Sequence, residues 1–94
     1  MLNAIQQNLL MTEKDNLHSI LTDCPQRDER MAWMNDATVR FEETPYNFDV
    51  SRIFPKIMLD IRNEQRAEGQ FTCCSPYIYG GLPADPVCSS YLMA

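Results

Sequence analysis

The sequence predicts an all-α chain of three or four helices joined by irregular loops, on three observations. Apolar residues recur at three- and four-residue spacing in separate stretches. No stretch alternates apolar and polar residues over the length of a strand. There is no internal repeat, so a solenoid or a duplicated sheet is not expected. Phe71-Thr72-Cys73 is the one candidate for a short strand.

The first helix is expected from Leu2 to about Met11. Leu2, Ile5, Leu9 and Leu10 make one apolar face there, and Gln6, Gln7 and Asn8 lie opposite. Thr12 to Asn16 is polar and turn-like, and Leu17, Ile20 and Leu21 form a short apolar approach to the loop after them. His18 stands alone among them and reads as a surface side chain. Pro25 removes a backbone donor and disfavours the right-handed helical region at Cys24, so Asp23 to Gln26 reads as a loop. Asp36 then begins a helix as its cap or first-turn acid, where exposed amides favour a carboxylate. Ala37, Val39 and Phe41 carry that helix to about Glu43, and Pro45 ends it. Asn47-Phe48-Asp49 opens the best helix, whose stripe is Val50, Ile53, Phe54, Ile57, Met58 and Ile61, with Gly69 as its stop. Pro55 either bends this helix or delays its regular part by a turn.

Gln70 to Ala84 is too interrupted by Pro76, Gly80, Gly81 and Pro83 to be helical and reads as a structured connection. Its Tyr77 and Tyr79 either line a groove or pack. Asp85-Pro86 resembles a cap followed by proline at the first helical position, opening a helix that reaches Ala94 without a closing signal. On that ground the chain, residues 1–94, is expected to be part of a larger domain, truncated at its C-terminus and also at its N-terminus.

Composition narrows the function. Ninety-four residues, 45% of them hydrophobic, allow one core. Eight Lys and Arg are scattered among thirteen acids for a net charge of -5, so no basic stripe exists to track a phosphate backbone, and nucleic acid is excluded as a partner. No apolar run approaches the ~20 residues that cross a bilayer, and Met1 to Leu10 has no basic start leading into a continuous apolar stretch. A membrane partner and a signal peptide are therefore not expected, and the compartment is left open. Cys24, Cys73, Cys74 and Cys88 include an adjacent pair that cannot present the Cys-x-x-Cys spacing of a zinc site, so reduced thiols are expected and no metal or other cofactor is.

The chemistry concentrates between Thr22 and Asp36. Asp23, Asp28, Glu29 and Asp36 supply carboxyl groups, Arg27 and Arg30 guanidinium forks, and Trp33 a broad apolar face. Such a set suits a sugar: charged groups hold hydroxyls through directional hydrogen bonds, indole stacks on a pyranose, and a carboxyl can move a proton. The same residues also suit a plain surface of helix caps and solvated charges.

The run Asp23-Cys24-Pro25-Gln26-Arg27-Asp28-Glu29-Arg30, with Trp33, Asp36 and the later Tyr46-Asn47-Phe48-Asp49, resembles the signature of the α-L-rhamnosidases of glycoside hydrolase family 78. The likeness runs from about Asn8 through Asp60 and, more weakly, to Asp85-Pro86. It implies a fold that is part of an (α/α)6 barrel, in which pairs of helices ring a central pocket. It further implies that Glu29 is the general acid, that Asp23, Arg27 and Asp36 hold rhamnose hydroxyls, and that Trp33 forms an aromatic wall. Members of the family invert the anomeric carbon, and their catalytic base comes from much later in the chain, so no residue here is named for it. Leu21 stands where the family commonly has proline, and Ala32 and Asn35 where it commonly has glycine. Ala32 is expected to trim the pocket beside Trp33, and Asn35 to keep a glycine-type turn before Asp36.

Two readings are open. The first is a segment of an inverting glycoside hydrolase that removes terminal α-L-rhamnose from a rhamnose-containing glycoside or oligosaccharide, carrying the acid but lacking the base and inactive by itself. The second is a non-catalytic helical piece that acts through protein–protein contacts. In both, self-association through uncovered helix faces is expected.

Overall fold

The computed structural model describes residues 1–79. Four helices follow one another: α1 (Leu2–Asn16), α2 (Met34–Arg40), α3 (Thr44–Asn47) and α4 (Ile53–Asn63). The described residues contain no strand. The helix expected after Asp85 lies outside them.

α1 continues past Met11, where the sequence suggests a turn, because its polar residues are satisfied inside the helix. The Thr12 hydroxyl donates to the Asn8 carbonyl at 2.9 Å, and the Asn16 side-chain amide donates to the Thr12 carbonyl at 2.8 Å. Tertiary contacts hold the extra turn from the other side. Glu13 is buried and accepts the Thr44 hydroxyl at 2.7 Å, and the Gln6 amide donates to Asn47 at 2.9 Å, so α1 is tied to α3 at two points.

α2 starts at Met34, with Trp33 in extended conformation at the cap and Asp36 in the first turn. It ends at Arg40, three residues before the expected Glu43, and hydrogen-bonded turns follow over 41–43. Pro45 does not end this helix; it stands in the first turn of α3, where a missing N–H leaves nothing unsatisfied. Asn35 lies within the first turn of α2, so the glycine-type turn expected there does not form.

α4 is shorter than the sequence suggests. Asp49 accepts the Ser51 amide at 3.1 Å in a local turn, and regular helix begins only at Ile53, placing Pro55 in the first turn, so the second of the two expectations for that proline holds. The helix stops at Asn63. Gly69 serves a later turn instead: its φ of +86° is the left-handed conformation that glycine adopts most readily, and its amide donates to the Arg66 carbonyl at 2.8 Å.

The core lies between α2, α4 and the segment after Gly69. Ala32, Met34, Ile57, Ile61 and Cys73 are buried together, with Phe54, Phe41 and Phe71 packed at the edge. The Phe41 and Phe54 rings stack at 4.6 Å and 16°. The α4 stripe is therefore partly covered within this chain rather than left wholly open. Phe71-Thr72-Cys73 does not become a strand, but it borders a single antiparallel bridge between Trp33 and Cys74. The Met34 amide donates to Cys73 at 2.9 Å and the Ser75 amide to Ala32 at 3.0 Å. That bridge fixes the residues on either side of Trp33.

Candidate active site

Residues 23–31 form a closed loop. The Asp23 amide donates to the Met31 carbonyl at 2.8 Å across its neck, and the Arg27 amide donates to the Cys24 carbonyl at 2.9 Å, making a tight turn with Pro25 second in it. At the start, the Thr22 amide reaches back to the Asn16 carbonyl at the end of α1, 2.9 Å away. Cys24 and Arg30, near the two ends, both have positive φ, 49° and 44°. Cys24 has left the right-handed region, which the proline after it disfavours, but for the left-handed region rather than the extended one. Left-handed backbone in two non-glycine residues costs about 1 to 2 kcal/mol each, which the loop's closing hydrogen bonds and buried neck must offset.

The neck of this loop, the end of α1 and the start of α2 enclose a pocket of about 380 Å³. Asp23 and Cys24 line it from the loop, Trp33, Asp36 and Arg40 from the α2 side, and Glu13 and Asn16 from α1. The volume suits a small ligand rather than single waters. Thus three of the five residues singled out in the sequence, Asp23, Trp33 and Asp36, converge on one cavity although they span fourteen positions.

Arg27 and Glu29 do not line it. Both are exposed on the outer part of the loop, with a charge separation of 3.9 Å at 63% and 35% side-chain exposure, a pairing worth little in water. Glu29 has a better partner from the far end of the described chain: the Tyr79 hydroxyl donates to its Oε2 at 2.8 Å. That bond to a carboxylate, more than any burial, raises the Tyr79 phenol above its ordinary range. Neither tyrosine of the 70–79 connection lines the pocket; Tyr77 instead lies under the Arg66 guanidinium, 5.3 Å from its ring centre. Ala32 is also absent from the lining. Its methyl is buried in the core, so the expected trimming of the pocket does not occur.

Within the neck, the Cys24 thiol donates to Asp23 Oδ2 at 3.4 Å, and this hydrogen bond to a carboxylate is the main reason the thiol is raised above its ordinary value. Cys24 and Cys74 stand outside any disulfide. Among the described residues no group of three or more His, Cys, Asp or Glu side chains is arranged to hold a metal ion, and no helix is long and apolar enough to cross a membrane.

Glu13, Asn16 and Arg40 escape a reading by motif. The signal for Glu13 lay in the periodicity. If the apolar face of Leu2, Ile5 and Leu9 is carried one turn further, an acid falls on that face, and an acid buried there needs a partner from elsewhere in the fold. Arg40 is that partner, with Nη2 3.2 Å from Glu13 Oε1.

Comparison with known proteins gives one answer throughout. The model of the bacterial alpha-L-rhamnosidase 6 hairpin glycosidase domain matches residues 1–89. An alpha-L-rhamnosidase of Streptomyces avermitilis is 33% identical over 78 residues, and one of Formosa agariphila is 40% identical over 68 residues. The matches cover 83% and 72% of this chain but only 8% and 7% of those proteins' own lengths. A solved structure of the alpha-L-rhamnosidase from Dictyoglumus thermophilum superposes with a TM-score of 0.76 at 38% identity, over 87% of this chain and 10% of that one. With nearly its whole length matched by the family's model and its backbone matched by a solved member, this chain belongs to the bacterial alpha-L-rhamnosidase six-hairpin glycosidase domain family.

Proposed function

We propose that this chain is the part of an inverting α-L-rhamnosidase that carries the general acid and several of the groups that hold the sugar. The six-hairpin domain is an (α/α)6 barrel, and the helices here form a small part of one. In this reading residues 1–94 belong to a larger catalytic domain, the base lies outside them, and the chain alone does not turn over substrate. The substrate is a glycoside or oligosaccharide with terminal α-L-rhamnose.

The observation that carries the reading is the convergence of Asp23, Trp33 and Asp36 on one pocket. Two carboxylates can accept hydrogen bonds from ring hydroxyls, and the indole offers its face to the apolar side of the pyranose. Glu29 is the acid. It transfers its proton to the glycosidic oxygen as the bond to the anomeric carbon breaks, while a second carboxylate, ~6.5 to 9.5 Å away in inverting enzymes, takes a proton from the attacking water. Arg27, beside Glu29, holds a hydroxyl of the rhamnose. Tyr79 acts as a positioning residue, because its hydroxyl donates to one oxygen of the acid and so holds the carboxyl in place.

The test is Glu29→Gln in the intact protein, assayed on two substrates. Hydrolysis of a natural rhamnoside, whose leaving group needs a proton, is expected to fall by about 100- to 10,000-fold. An activated aryl rhamnoside is expected to lose far less. An equal loss on both would remove Glu29 from the role. An intact protein that neither binds nor cleaves rhamnosides would favour the non-catalytic reading.

A further inference from the structure

The pocket lining has two chemistries. Asp23, Asp36 and the indole of Trp33 make one part of it, and Leu21, Ala37, Phe41 and Phe54 make another. These four apolar side chains are half-buried: they pack against the core and still line the cavity. Phe41 and Phe54 are held further by their stacking at 4.6 Å. The two parts stand at a definite spacing along α2, because Asp36 lies in the first turn and Phe41 caps the end, about 7 Å further along the axis at ~1.5 Å per residue. The polar groups beside the apolar wall are committed elsewhere. The Thr44 hydroxyl is bonded to Glu13, and Arg40 lies against Glu13 and Glu43.

α-L-Rhamnose is divided in the same way. It is a 6-deoxy sugar, with hydroxyls on C2, C3 and C4 and a methyl group on C5. In the proposed mechanism Glu29 meets the glycosidic oxygen on the outer side of the loop, so the aglycone leaves on that side and the sugar ring fills the cavity. The methyl is the one substituent of that ring without a hydrogen-bonding atom. Against an apolar wall it leaves water at no polar cost, whereas a hydroxyl in its place would find no free partner. We infer that Leu21, Ala37, Phe41 and Phe54 seat the C6 methyl of rhamnose and so select a 6-deoxy sugar over its 6-hydroxy counterpart. The inference rests on the rhamnoside reading and deepens it from sugar binding to the choice of sugar.

Equilibrium binding of three monosaccharides to the intact protein tests it: L-rhamnose, L-mannose, which adds a hydroxyl at C6, and L-lyxose, which lacks C6 altogether. L-Mannose is expected to bind about 10- to 100-fold more weakly than L-rhamnose, and L-lyxose about 10-fold more weakly. Leu21→Ser and Ala37→Ser each put a hydroxyl into the wall and should narrow the rhamnose-to-mannose ratio by about 10-fold. That ratio does not depend on how much of a variant is folded, so a general loss of structure leaves it unchanged. Equal affinities for the three sugars in the unmodified protein would overturn the inference. So would variants that keep the ratio, including ones that weaken only rhamnosides with an apolar aglycone, which would make the wall an aglycone contact. Failure of the unmodified protein to bind rhamnose at all would overturn the rhamnoside reading itself, and this inference with it.

Discussion

At the scale of single residues, the loop 23–31 sets the protonation of two side chains through carboxylate neighbours. The Cys24 thiol donates to Asp23, so forming the thiolate would place two negative charges side by side, and the thiol is raised. Only the thiolate reacts, so Cys24 is expected to alkylate more slowly than a free cysteine at mildly alkaline pH, and Asp23→Asn to speed it up. Mass spectrometry of the peptide carrying Cys24 reads both rates. Tyr79 follows the same logic on Glu29. Its folded-state value is raised, so the stabilisation from this contact is fully present below the ordinary phenol value of about 10 and is lost as pH rises through the raised one. In an alkaline titration followed by phenolate absorbance, Tyr79→Phe should remove a late-titrating component. A variant whose curve differs only by a phenol of ordinary behaviour would argue against the Glu29 contact.

At the scale of elements, α1 and α3 are held together by a buried polar contact, and α2 and α4 by a packed one. Thr44 is buried and bonds both Glu13 and the Arg40 carbonyl, so Thr44→Val leaves a buried carboxylate oxygen with one partner fewer. A loss of about 1 to 3 kcal/mol in urea denaturation is expected. Ile57 is 2% exposed at the centre of the apolar cluster, and Ile57→Ala is expected to cost about 2 to 5 kcal/mol by opening a cavity. If Thr44→Val proved neutral while Ile57→Ala was costly, the α1–α3 contact would be a bystander to a fold held by α2 and α4.

At the scale of the molecule, the described residues form an elongated body. Its radius of gyration is 13.7 Å, with extents of 48 × 27 × 21 Å, whereas a compact domain of this length would have a radius of roughly 12 Å. Leu2 is 82% and Ile5 58% exposed on α1, and Leu59 is 47% exposed on α4. Apolar side chains left open on neighbouring helices favour association, and in the proposed barrel they meet further helices. Light scattering of the isolated chain is expected to show mass rising with concentration. A monodisperse monomer with one sharp thermal transition would count against the larger-domain reading.

The all-α class, the loop at Asp23 to Gln26 and the acid in the first turn of α2 can be read from the residues alone. These depend on local chemistry: apolar periodicity, the restriction that Pro25 imposes on Cys24, and the preference of a helix start for a carboxylate. The family was legible too, because the run from Asp23 to Arg30 has no propensity reason to recur. Helix ends were not. Glu13 belongs to a helix because Thr44 and Arg40 reach it from 31 and 27 residues away, and α4 starts late because Asp49 spends its side chain on a local turn. Which motif residues share a cavity was likewise decided only by tertiary structure. The hydrogen bond between Asp23 and Met31 closes the loop, turning Asp23 inward with Trp33 and Asp36 and leaving Arg27 and Glu29 on the outside with Tyr79, and sequence spacing carries no information about that closure.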